Sequence, residues 1–513
     1  VSSIDLSVRP AMPFITDIKG GHIQQDETEL KLERNMYPEY RTRQVSVSTV
    51  PLGISRGLIR YLDKYPYACT EQLVSQAVPY VALKGRPEFG FDAGRAQDSI
   101  EKVIHILRSR QNSEGAFGFW AANSHVSPYL SVYALHFLHE ARDNGYAVPE
   151  DMLEQGKKYL RQLAAQDIDD LADARARAYA MYLLTLNGEV ITRHLNDMRE
   201  KMDKLYQGKW QSDLSRAYLA ASYKLLHLDD EARKLIATLN LHQQVTPDYE
   251  NFHDQLAHNS QYLYILARHF PKLLKELTGT DIQQVMNPVN HGAYNSFTSA
   301  FTIMALDAYA DVAGQAGDLN VSIKALLDDT EQDISIPPGL MPEMDIDNGI
   351  KSLIVTSKNA LPLFHQTTEA GFDIDLPEDI VKRGIEIQRE YRDAGGKVID
   401  RIPMGEEVSV HIKLRAIDDQ YHYNTAIVDL LPGGFDVVLE TSRQNQGSFQ
   451  PDYVDLREDR VLIFGAVHQT VQEFVYRIKP GNRGTYVVPP TFAEGMYDRS
   501  VRATGLAGKI TVE

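Results

Sequence analysis

The sequence contains a single cysteine, Cys69, among 513 residues. One thiol excludes every intrachain disulfide, every zinc site built from several thiolates and every iron–sulfur cluster held by cysteines. Basic residues are also few, because 53 Lys and Arg stand against 70 Asp and Glu and give a net charge of −17. A surface of this sign repels phosphate backbones, so nucleic acid is not expected as a partner.

Long hydrophobic runs are absent as well. No stretch of about 18 apolar residues is available to span a bilayer. The first residues, Val1-Ser2-Ser3, include neither a starting Met nor the charged beginning of a signal peptide. We therefore expect the sequence to be part of a longer protein, and its length predicts about three to four domains.

The first two-thirds of the sequence change from a strand pattern to a helix pattern. Residues 1–50 alternate as strands do, for example at Ile4, Leu6 and Val8. From Pro51 to about residue 330, apolar residues recur at helical spacing in about a dozen segments, which predicts an all-helical region. These segments include Leu130–Ala141, Ala174–Leu186, Leu214–Leu226, Leu256–Leu266 and Phe297–Ala310.

The strand pattern returns after about residue 331. Alternation such as that of Val408, Val410 and Ile412, with Gly and Pro at the turns, favours an antiparallel sandwich. We predict that segments 1–50 and 331–378 pair in one β domain, which the helical region 51–330 interrupts, and that 379–513 form a separate β domain. The predicted strands are Lys351–Val355, Gly384–Tyr391, Val408–Leu414, Ala426–Leu430, Val461–Phe464, Val471–Ile478 and Gly484–Val488.

Two similar loops precede two of the predicted helices. Gln111–Trp120 and His291–Asn295 both contain glycine close to an aromatic residue. Loops of this kind between successive helix pairs suit a closed ring of helical hairpins with loops folded over one end. Ordinary turns between bundle helices remain the alternative interpretation.

Cys69 lies where a helix is predicted to begin, directly before the apolar face that starts at Leu73. Unpaired N–H groups and the positive dipole at that position stabilise anionic sulfur. Gln72 follows three residues later, a spacing that makes two side chains neighbours in a helical turn. The alternative is that Cys69 is buried as a small hydrophobic residue.

The pairing of Cys69 with Gln72 permits formation of an internal thioester. The thiolate attacks the Gln72 carboxamide and ammonia leaves. An amine can then attack the former Gln72 carbonyl, form an amide and release Cys69 as a thiolate. Tyr65 and Tyr67, just upstream, are bulky enough to shield such a bond from water, although ordinary aromatic packing explains them equally well.

The segment Cys69-Thr70-Glu71-Gln72 after Tyr-Pro-Tyr resembles the thioester domain of the alpha-2-macroglobulin and complement superfamily, and the lead-in resembles its bacterial alpha-2-macroglobulins. Gly115–Trp120 resembles the family's aromatic loop, and Tyr476–Tyr497 resembles its C-terminal domain. Members often carry glycine at the position of Ala68 and glycine or leucine at the position of Thr70, so this sequence departs from the family at both positions. Neither departure removes a reacting atom, and the Thr70 hydroxyl is a candidate helix cap.

The resemblance implies a fold and site roles. An α/α toroid, the thioester domain, at 51–330 is inserted in a CUB-like β-sandwich formed by 1–50 and 331–378, and a macroglobulin-like antiparallel β-sandwich follows at 379–513. Cys69 supplies the sulfur, Gln72 supplies the acyl carbon and Glu71 occupies the family's acidic position, for which we expect an orienting role.

The resemblance also implies a function. In the family, a protease cleaves a bait segment, a change of shape exposes the thioester, and lysine amines of the protease are captured. We expect the C-terminal part of a broad-spectrum protease inhibitor, not an enzyme, with target proteases as covalent partners and with neither cofactor nor metal. The resemblance further implies a monomeric protein of the bacterial periplasm, anchored through a lipoprotein segment that precedes this sequence.

Two other functions stay open, a surface protein with a silent thioester motif and an enzyme built on an α/α barrel. Complement members use a histidine to direct acyl transfer to hydroxyls, and six histidines qualify by type alone: His105, His136, His139, His253, His258 and His291. We predict that the helical His136, His139 and Glu140 bind no metal, because their spacing is not that of a zinc protease motif. We also predict that His253, Asp254 and His258 form a capped, solvated helix start.

Overall fold

The computed structural model describes residues 10–23, 27–123, 126–313, 319–327, 330–357, 363–376, 379–440 and 447–513. They form two compact units. The first unit comprises Thr16–Glu33 and Thr42–Glu369, and the second comprises residues up to Ile15, Arg34–Arg41 and Ala370–Glu513. The predicted strand residues Ile4, Leu6 and Val8 lie outside the described residues.

The helices of the first unit begin and end close to the predicted positions. Several start at an N-cap whose side chain accepts a hydrogen bond from the first turn, as Ser127, Asp170 and Asp254 do. Within the described ranges, none combines the length and hydropathy needed to cross a membrane. The helices are α1 (Ser55–Lys64), α2 (Thr70–Ala82), α3 (Ala93–Arg110), α4 (Pro128–Asp143), α5 (Glu150–Ala165), α6 (Leu171–Leu186), α7 (Thr192–Leu205), α8 (Ser215–Leu225), α9 (Asp229–Ile236), α10 (Gln255–His269), α11 (Pro271–Leu274), α12 (Gly279–Asn290) and α13 (Ser296–Ala313).

Six of these helices form a closed circuit. Helices α2, α4, α6, α8, α10 and α13 each contact the next, and α13 contacts α2. They are buried on most of their faces, whereas α3, α5, α7, α9 and α12 bury one face each. The inner helices therefore lack a polar stripe and the outer ones carry it, as expected where one layer of helices surrounds another.

The β part of the first unit draws strands from both sides of the helices. Its sheets have the orders β1-β8-β3-β6 and β2-β7-β4-β5, and residues such as Val45, Val47, Ile323 and Leu353 share one core. Because β2 pairs with β7 and β3 with β6, strands that precede and follow the helical region pair with each other. The strands are β1 (Ile15–Ile23), β2 (Glu27–Lys31), β3 (Thr42–Ser48), β4 (Val321–Leu327), β5 (Thr330–Ile334), β6 (Glu343–Asp345), β7 (Ser352–Ser357) and β8 (Leu363–Gly371).

The end of the predicted helical region 51–330 differs from the structure. Helix α13 ends at Ala313, and strand β4 already begins at Val321. Its exposed and buried residues alternate, with Ile323 and Ala325 pointing into the core, so the segment has the period of a strand. Residues 34–41 also join the second unit, because Arg34 pairs with Asp373 at 2.9 Å, a contact between residues far apart in sequence.

The second unit is formed by strands. A ten-stranded sheet has the order β14-β17-β12-β10-β9-β20-β19-β13-β16-β15, and a three-stranded sheet has the order β11-β21-β18. Residues of both sheets, including Val410, Phe474 and Ile510, share one core. The mixed helical and β-sandwich class predicted from the sequence is confirmed. The strands are β9 (Val381–Arg383), β10 (Ile385–Arg392), β11 (Arg401–Ile402), β12 (Val408–Ala416), β13 (His422–Leu430), β14 (Phe435–Val437), β15 (Tyr453–Arg457), β16 (Arg460–Val467), β17 (Gln472–Pro480), β18 (Gly484–Val488), β19 (Phe492–Gly495), β20 (Arg502–Thr504) and β21 (Gly508–Val512).

Candidate functional site

Cys69 is the N-cap of α2, as predicted from its place before the helix. Its backbone is extended, and Gln72 occupies the third helical position. Gln72 Oε1 accepts a hydrogen bond from Cys69 N–H at 2.9 Å, and the Cys69 side chain faces the Gln72 N–H in a reciprocal capping arrangement. Both side chains are fully buried. The fold thus turns the carboxamide back toward the residue that carries the thiol.

Glu71 lies between these two residues, and its carboxylate is also fully buried. Ser75 Oγ donates to Glu71 Oε1 at 2.5 Å, and Ser296 Oγ, at the start of α13, donates to Glu71 Oε2 at 2.9 Å. Ser75 Oγ also lies 2.9 Å from the hydroxyl of Tyr133 on α4. Burial, and then the charge of Glu71, raise the pKa of Tyr133 well above its ordinary value, so its hydroxyl stays protonated. This network joins the first turn of α2 to both neighbouring inner helices.

Thr70 connects the start of α2 to the aromatic loop. Its N–H donates to Phe119 O at 2.9 Å, and its hydroxyl donates to Gly118 O at 2.6 Å. The hydroxyl therefore binds the neighbouring loop and does not cap the helix, because Thr70 is the first helical residue and Cys69 occupies the cap position. Ala68, the other departure from the family pattern, is exposed.

Arg110, the last residue of α3, holds the same loop against the segment that carries Cys69. Nη1 donates to Phe119 O at 3.1 Å and to Thr70 Oγ1 at 3.2 Å. Nη2 donates to Ala68 O at 3.0 Å. The guanidinium thus contacts the residues on both sides of Cys69.

The loops predicted from the sequence lie beside the inner helices that flank α2. Gln111–Trp120 leads to α4, and His291–Asn295 leads to α13. Near the beginning of these helices, Tyr129 and Phe297 pack with ring centroids 5.8 Å apart. Helices α2, α4 and α13 therefore start side by side, and their positive dipole ends point in a common direction.

Tyr65 and Tyr67 belong to a row of aromatic rings. The rings of Tyr67 and Tyr65 lie 5.2 Å apart, those of Tyr65 and Tyr61 lie 5.3 Å apart, and Tyr61 contacts Tyr294 at 5.0 Å. Tyr67 is buried and Tyr65 is half-buried. Gln76 Nε2 donates to Tyr65 O at 3.1 Å, which fixes the lead-in segment against α2. The row packs edge to face, as aromatic clusters prefer.

Four of the six histidines singled out by sequence are buried: His136, His139, His253 and His258. Asp254 caps α10 by accepting from Ala257 N–H at 2.7 Å, as predicted. The prediction that this helix start is solvated is wrong, because His253 and His258 are buried beside the charges of Arg175 and Asp213. Burial lowers the pKa of His258 to about 4, so its imidazole is neutral near neutral pH.

His136, of the other helical pair, lies among tyrosines. His136 Nδ1 bonds the Tyr179 hydroxyl at 2.6 Å, and its Nε2 lies 3.6 Å from Glu140. In the part of the chain that the structure describes, no group of three His, Cys, Asp or Glu side chains is arranged to hold a metal ion. Large buried rings, among them Tyr133, Tyr179, Tyr218 and Phe301, fill the space between the inner helices.

Four polar residues of this site are not singled out by the sequence: Ser75, Arg110, Tyr133 and Ser296. Two of them adjoin a feature that is visible in the sequence, because Arg110 directly precedes the Gln111–Trp120 loop and Ser296 directly follows the His291–Asn295 loop. Ser75 lies one helical turn after Glu71, a spacing that favours contact but does not require it. For Tyr133 no local pattern separates this residue from the many other buried tyrosines.

Comparison with known proteins identifies relatives over nearly the whole chain. A family model, the bacterial alpha-2-macroglobulin MG10 domain, matches residues 384–499. An alpha-2-macroglobulin homolog of Yersinia pestis is 36% identical over an alignment that covers 98% of this chain and 27% of that protein. The chain therefore spans about a quarter of the length of this relative.

Two solved structures share the fold. Native alpha-2-macroglobulin of Escherichia coli, from domain MG7 to the C-terminus, matches with a TM-score of 0.79 and 20% identity, covering 98% of this chain and 83% of that one. Salmonella alpha-2-macroglobulin reacted with methylamine matches with a TM-score of 0.78 and 20% identity, covering 98% of this chain and 34% of that one. The chain thus belongs to the bacterial alpha-2-macroglobulin family and corresponds to the C-terminal portion of its members.

Proposed function

We propose that Cys69 and Gln72 form an internal thioester that acylates amines. The observation that carries this proposal is the hydrogen bond from Cys69 N–H to Gln72 Oε1, between two fully buried residues at a helix start. Thiol and carboxamide combine with loss of ammonia. An incoming amine then bonds to Gln72 Cδ, the Cδ–Sγ bond breaks, and sulfur leaves with its electron pair.

The surroundings favour this chemistry. The Cys69 N–H that binds Gln72 Oε1 is placed to stabilise the negative charge that develops on this oxygen during attack, as donors of an oxyanion hole do. The dipole of α2 acts in the same direction. Burial of Cys69 and Gln72 keeps water from the bond, and we assign the shielding to the row that contains Tyr65 and Tyr67.

We assign an orienting role to Glu71. Its carboxylate accepts from Ser75 on α2 and from Ser296 on α13, which fixes the rotation of the first turn of α2. Because Cys69 and Gln72 lie on either side of Glu71, this rotation sets the direction of both reacting side chains.

The finer domain assignment is also a proposal. The circuit α2-α4-α6-α8-α10-α13 supports an α/α toroid of the thioester-domain type. The two four-stranded sheets that share a core support a CUB-like sandwich, and the second unit supports a macroglobulin-like sandwich. The boundaries at 50 and 378 remain predictions.

For the longer protein we propose covalent trapping of proteases. Its partners are proteases that supply lysine amines, no cofactor or metal takes part, and each molecule reacts once. A periplasmic location, a lipoprotein anchor and a monomeric state are proposed from the family resemblance alone. An enzyme built on the helical ring is disfavoured, because buried aromatic rings fill the space that a substrate requires.

The thioester is tested by intact mass and amine capture. The protein is expected to be lighter than its sequence by one ammonia, to gain one methylamine on exposure and to release one titratable thiol. Cys69→Ala and Gln72→Glu should each abolish capture while the helical circular dichroism stays unchanged. Gln155→Glu, the same change at an exposed position, is the matched control and should capture normally.

Three outcomes separate the alternatives. An unmodified mass together with no capture contradicts the proposal and favours a silent motif. Capture that persists in Gln72→Glu places the reactive carbonyl elsewhere. Loss of helical signal in Cys69→Ala shows that the residue serves packing.

A further inference from the structure

Arg110 takes no part in the chemistry proposed above, yet it lies beside Cys69. Nη2 donates to Ala68 O at 3.0 Å and Nη1 donates to Thr70 Oγ1 at 3.2 Å. Ala68 and Thr70 are the chain neighbours of the cysteine. A guanidinium stays protonated throughout the accessible pH range, so a permanent positive charge is placed against this segment.

The position of the guanidinium is fixed from two directions. Gly118 N–H donates to Arg110 O at 3.2 Å, which folds the aromatic loop back onto the end of α3. Phe119 O then accepts from both Thr70 N–H at 2.9 Å and Arg110 Nη1 at 3.1 Å. The aromatic loop, Arg110 and the first turn of α2 thus form one hydrogen-bonded cluster. Because the Arg110 side chain is already ordered, little further conformational entropy is lost during the reaction.

This charge lies against the residues on both sides of Cys69. A nearby cation favours the thiolate over the thiol, and so does the positive end of the α2 dipole. On α2 itself, the buried carboxylate of Glu71 acts in the opposite sense. The Arg110 cation therefore opposes the effect of Glu71 when sulfur becomes negative.

We propose that Arg110 is a positioning residue for the thioester, whose guanidinium stabilises the Cys69 sulfur as a thiolate while the bond to Gln72 Cδ breaks. In that step the amine nitrogen bonds to Cδ, and the Cδ–Sγ pair of electrons stays on sulfur. The ammonium formed on the amine gives its proton to water. This inference rests on the proposed function, but the thiolate can be measured without the thioester.

The test uses two measurements on Arg110→Gln and Arg110→Lys. The first is the rate of thiol release by methylamine. The second is the thiol pKa in a Gln72→Ala background, which cannot form a thioester, followed by far-ultraviolet thiolate absorbance against a Cys69→Ser reference. Arg108→Gln removes an exposed arginine from the same helix and is the matched control.

Arg110→Gln is expected to raise the thiol pKa by about one unit and to slow thiol release roughly tenfold. Arg110→Lys keeps the charge but cannot contact both Ala68 and Thr70. We therefore expect smaller changes in thiol pKa and release rate than in Arg110→Gln. Arg108→Gln should change neither value. Unchanged thiol pKa and release rate in a folded Arg110→Gln overturn the inference.

Two further results keep the test decisive. If Arg110→Gln does not fold, the salt dependence of thiol release in the unsubstituted protein provides the test. Salt screens the partly exposed cation of Arg110, so the rate of thiol release by neutral methylamine should fall as salt is added. A rate that does not change with salt then overturns the inference. If mass shows that no thioester forms, the proposed function fails, while the thiol pKa in the Gln72→Ala background still tests Arg110.

Discussion

Ser296 Oγ donates a hydrogen bond to Glu71 Oε2 at 2.9 Å, although the two residues lie 225 positions apart in the sequence. This contact joins the first turn of α13 to the first turn of α2. The first and last helices of the inner circuit therefore meet at Glu71, one of the two residues between Cys69 and Gln72. The carboxylate to which we assign the orientation of the site thus also links the two ends of the ring.

Ser296→Ala is predicted to weaken both the fold and the site. Loss of a hydrogen bond to a buried carboxylate should lower the free energy of unfolding by about 1.5–3 kcal/mol. Denaturant unfolding measures this change, and intact mass measures the fraction of thioester, which should fall. Ser109→Ala, at an exposed position, should leave both values unchanged. An unaltered thioester fraction in Ser296→Ala contradicts the orienting role of Glu71.

Gly118→Ala is predicted to displace the aromatic loop. A Cβ at this position would lie 2.0 Å from the carbonyl oxygen of Ala121, so the backbone must move. The Thr70 hydroxyl then loses the closer of its two acceptors, Gly118 O, and we expect a loss of about 1–3 kcal/mol in denaturant unfolding together with an altered rate of amine capture. Gly85→Ala is the control, because a Cβ there meets nothing within 4 Å. Equal unfolding free energies and equal rates of amine capture in Gly118→Ala and Gly85→Ala contradict this prediction.

Acid is predicted to destabilise the protein through its buried histidines. Burial lowers the pKa of His258 in the folded state from 6.5 to about 4. Below the unfolded pKa the unfolded chain binds the proton more readily, so stability falls as pH decreases from about 6.5 toward 4. For His258 the loss at about pH 5 is about 2 kcal/mol.

The His258 contribution is measured by urea unfolding near pH 7.5 and pH 5. His258→Phe removes the titrating group, so the difference in unfolding free energy between the two pH values should shrink by about 2 kcal/mol. His291→Phe, which changes a histidine in an exposed turn, serves as the comparison and should keep the difference. If the difference in unfolding free energy between the two pH values is the same in His258→Phe and in the unsubstituted protein, the prediction for His258 is wrong.

Asp429→Asn is predicted to destabilise the second unit strongly. Arg389 and Asp429 form a buried ion pair, and the Tyr476 hydroxyl donates to Asp429 Oδ2 at 2.6 Å. Removal of the carboxylate leaves the buried guanidinium of Arg389 without its counter-charge, at a cost of about 3–5 kcal/mol. The exposed pair of Arg401 and Glu513 is the control, and Glu513→Gln should cost no more than about 1 kcal/mol. Similar losses in the two variants, measured by denaturant unfolding, contradict this argument.

Most elements of the fold are predictable from local periodicity. The buried faces of α4, α6 and α10 and the alternation of β12 and β17 are repeated often enough to identify helix and strand. Strand β4 is missed because it follows closely on the helical region, so that the helix pattern and the strand pattern are not separated in the sequence. The addition of Arg34–Arg41 to the second unit is missed because the pairing of Arg34 with Asp373 leaves no local trace.

The sequence by itself determined the pair that we propose to react, because a spacing of three residues at a helix start brings Cys69 and Gln72 together whatever surrounds them. Only the tertiary structure decided what lies around that pair. Ser296, Thr70 with Gly118, and Arg110 meet there through contacts across 40 to 225 positions. Such contacts depend on how helices close into a ring, and no local periodicity encodes which polar side chains then face one another.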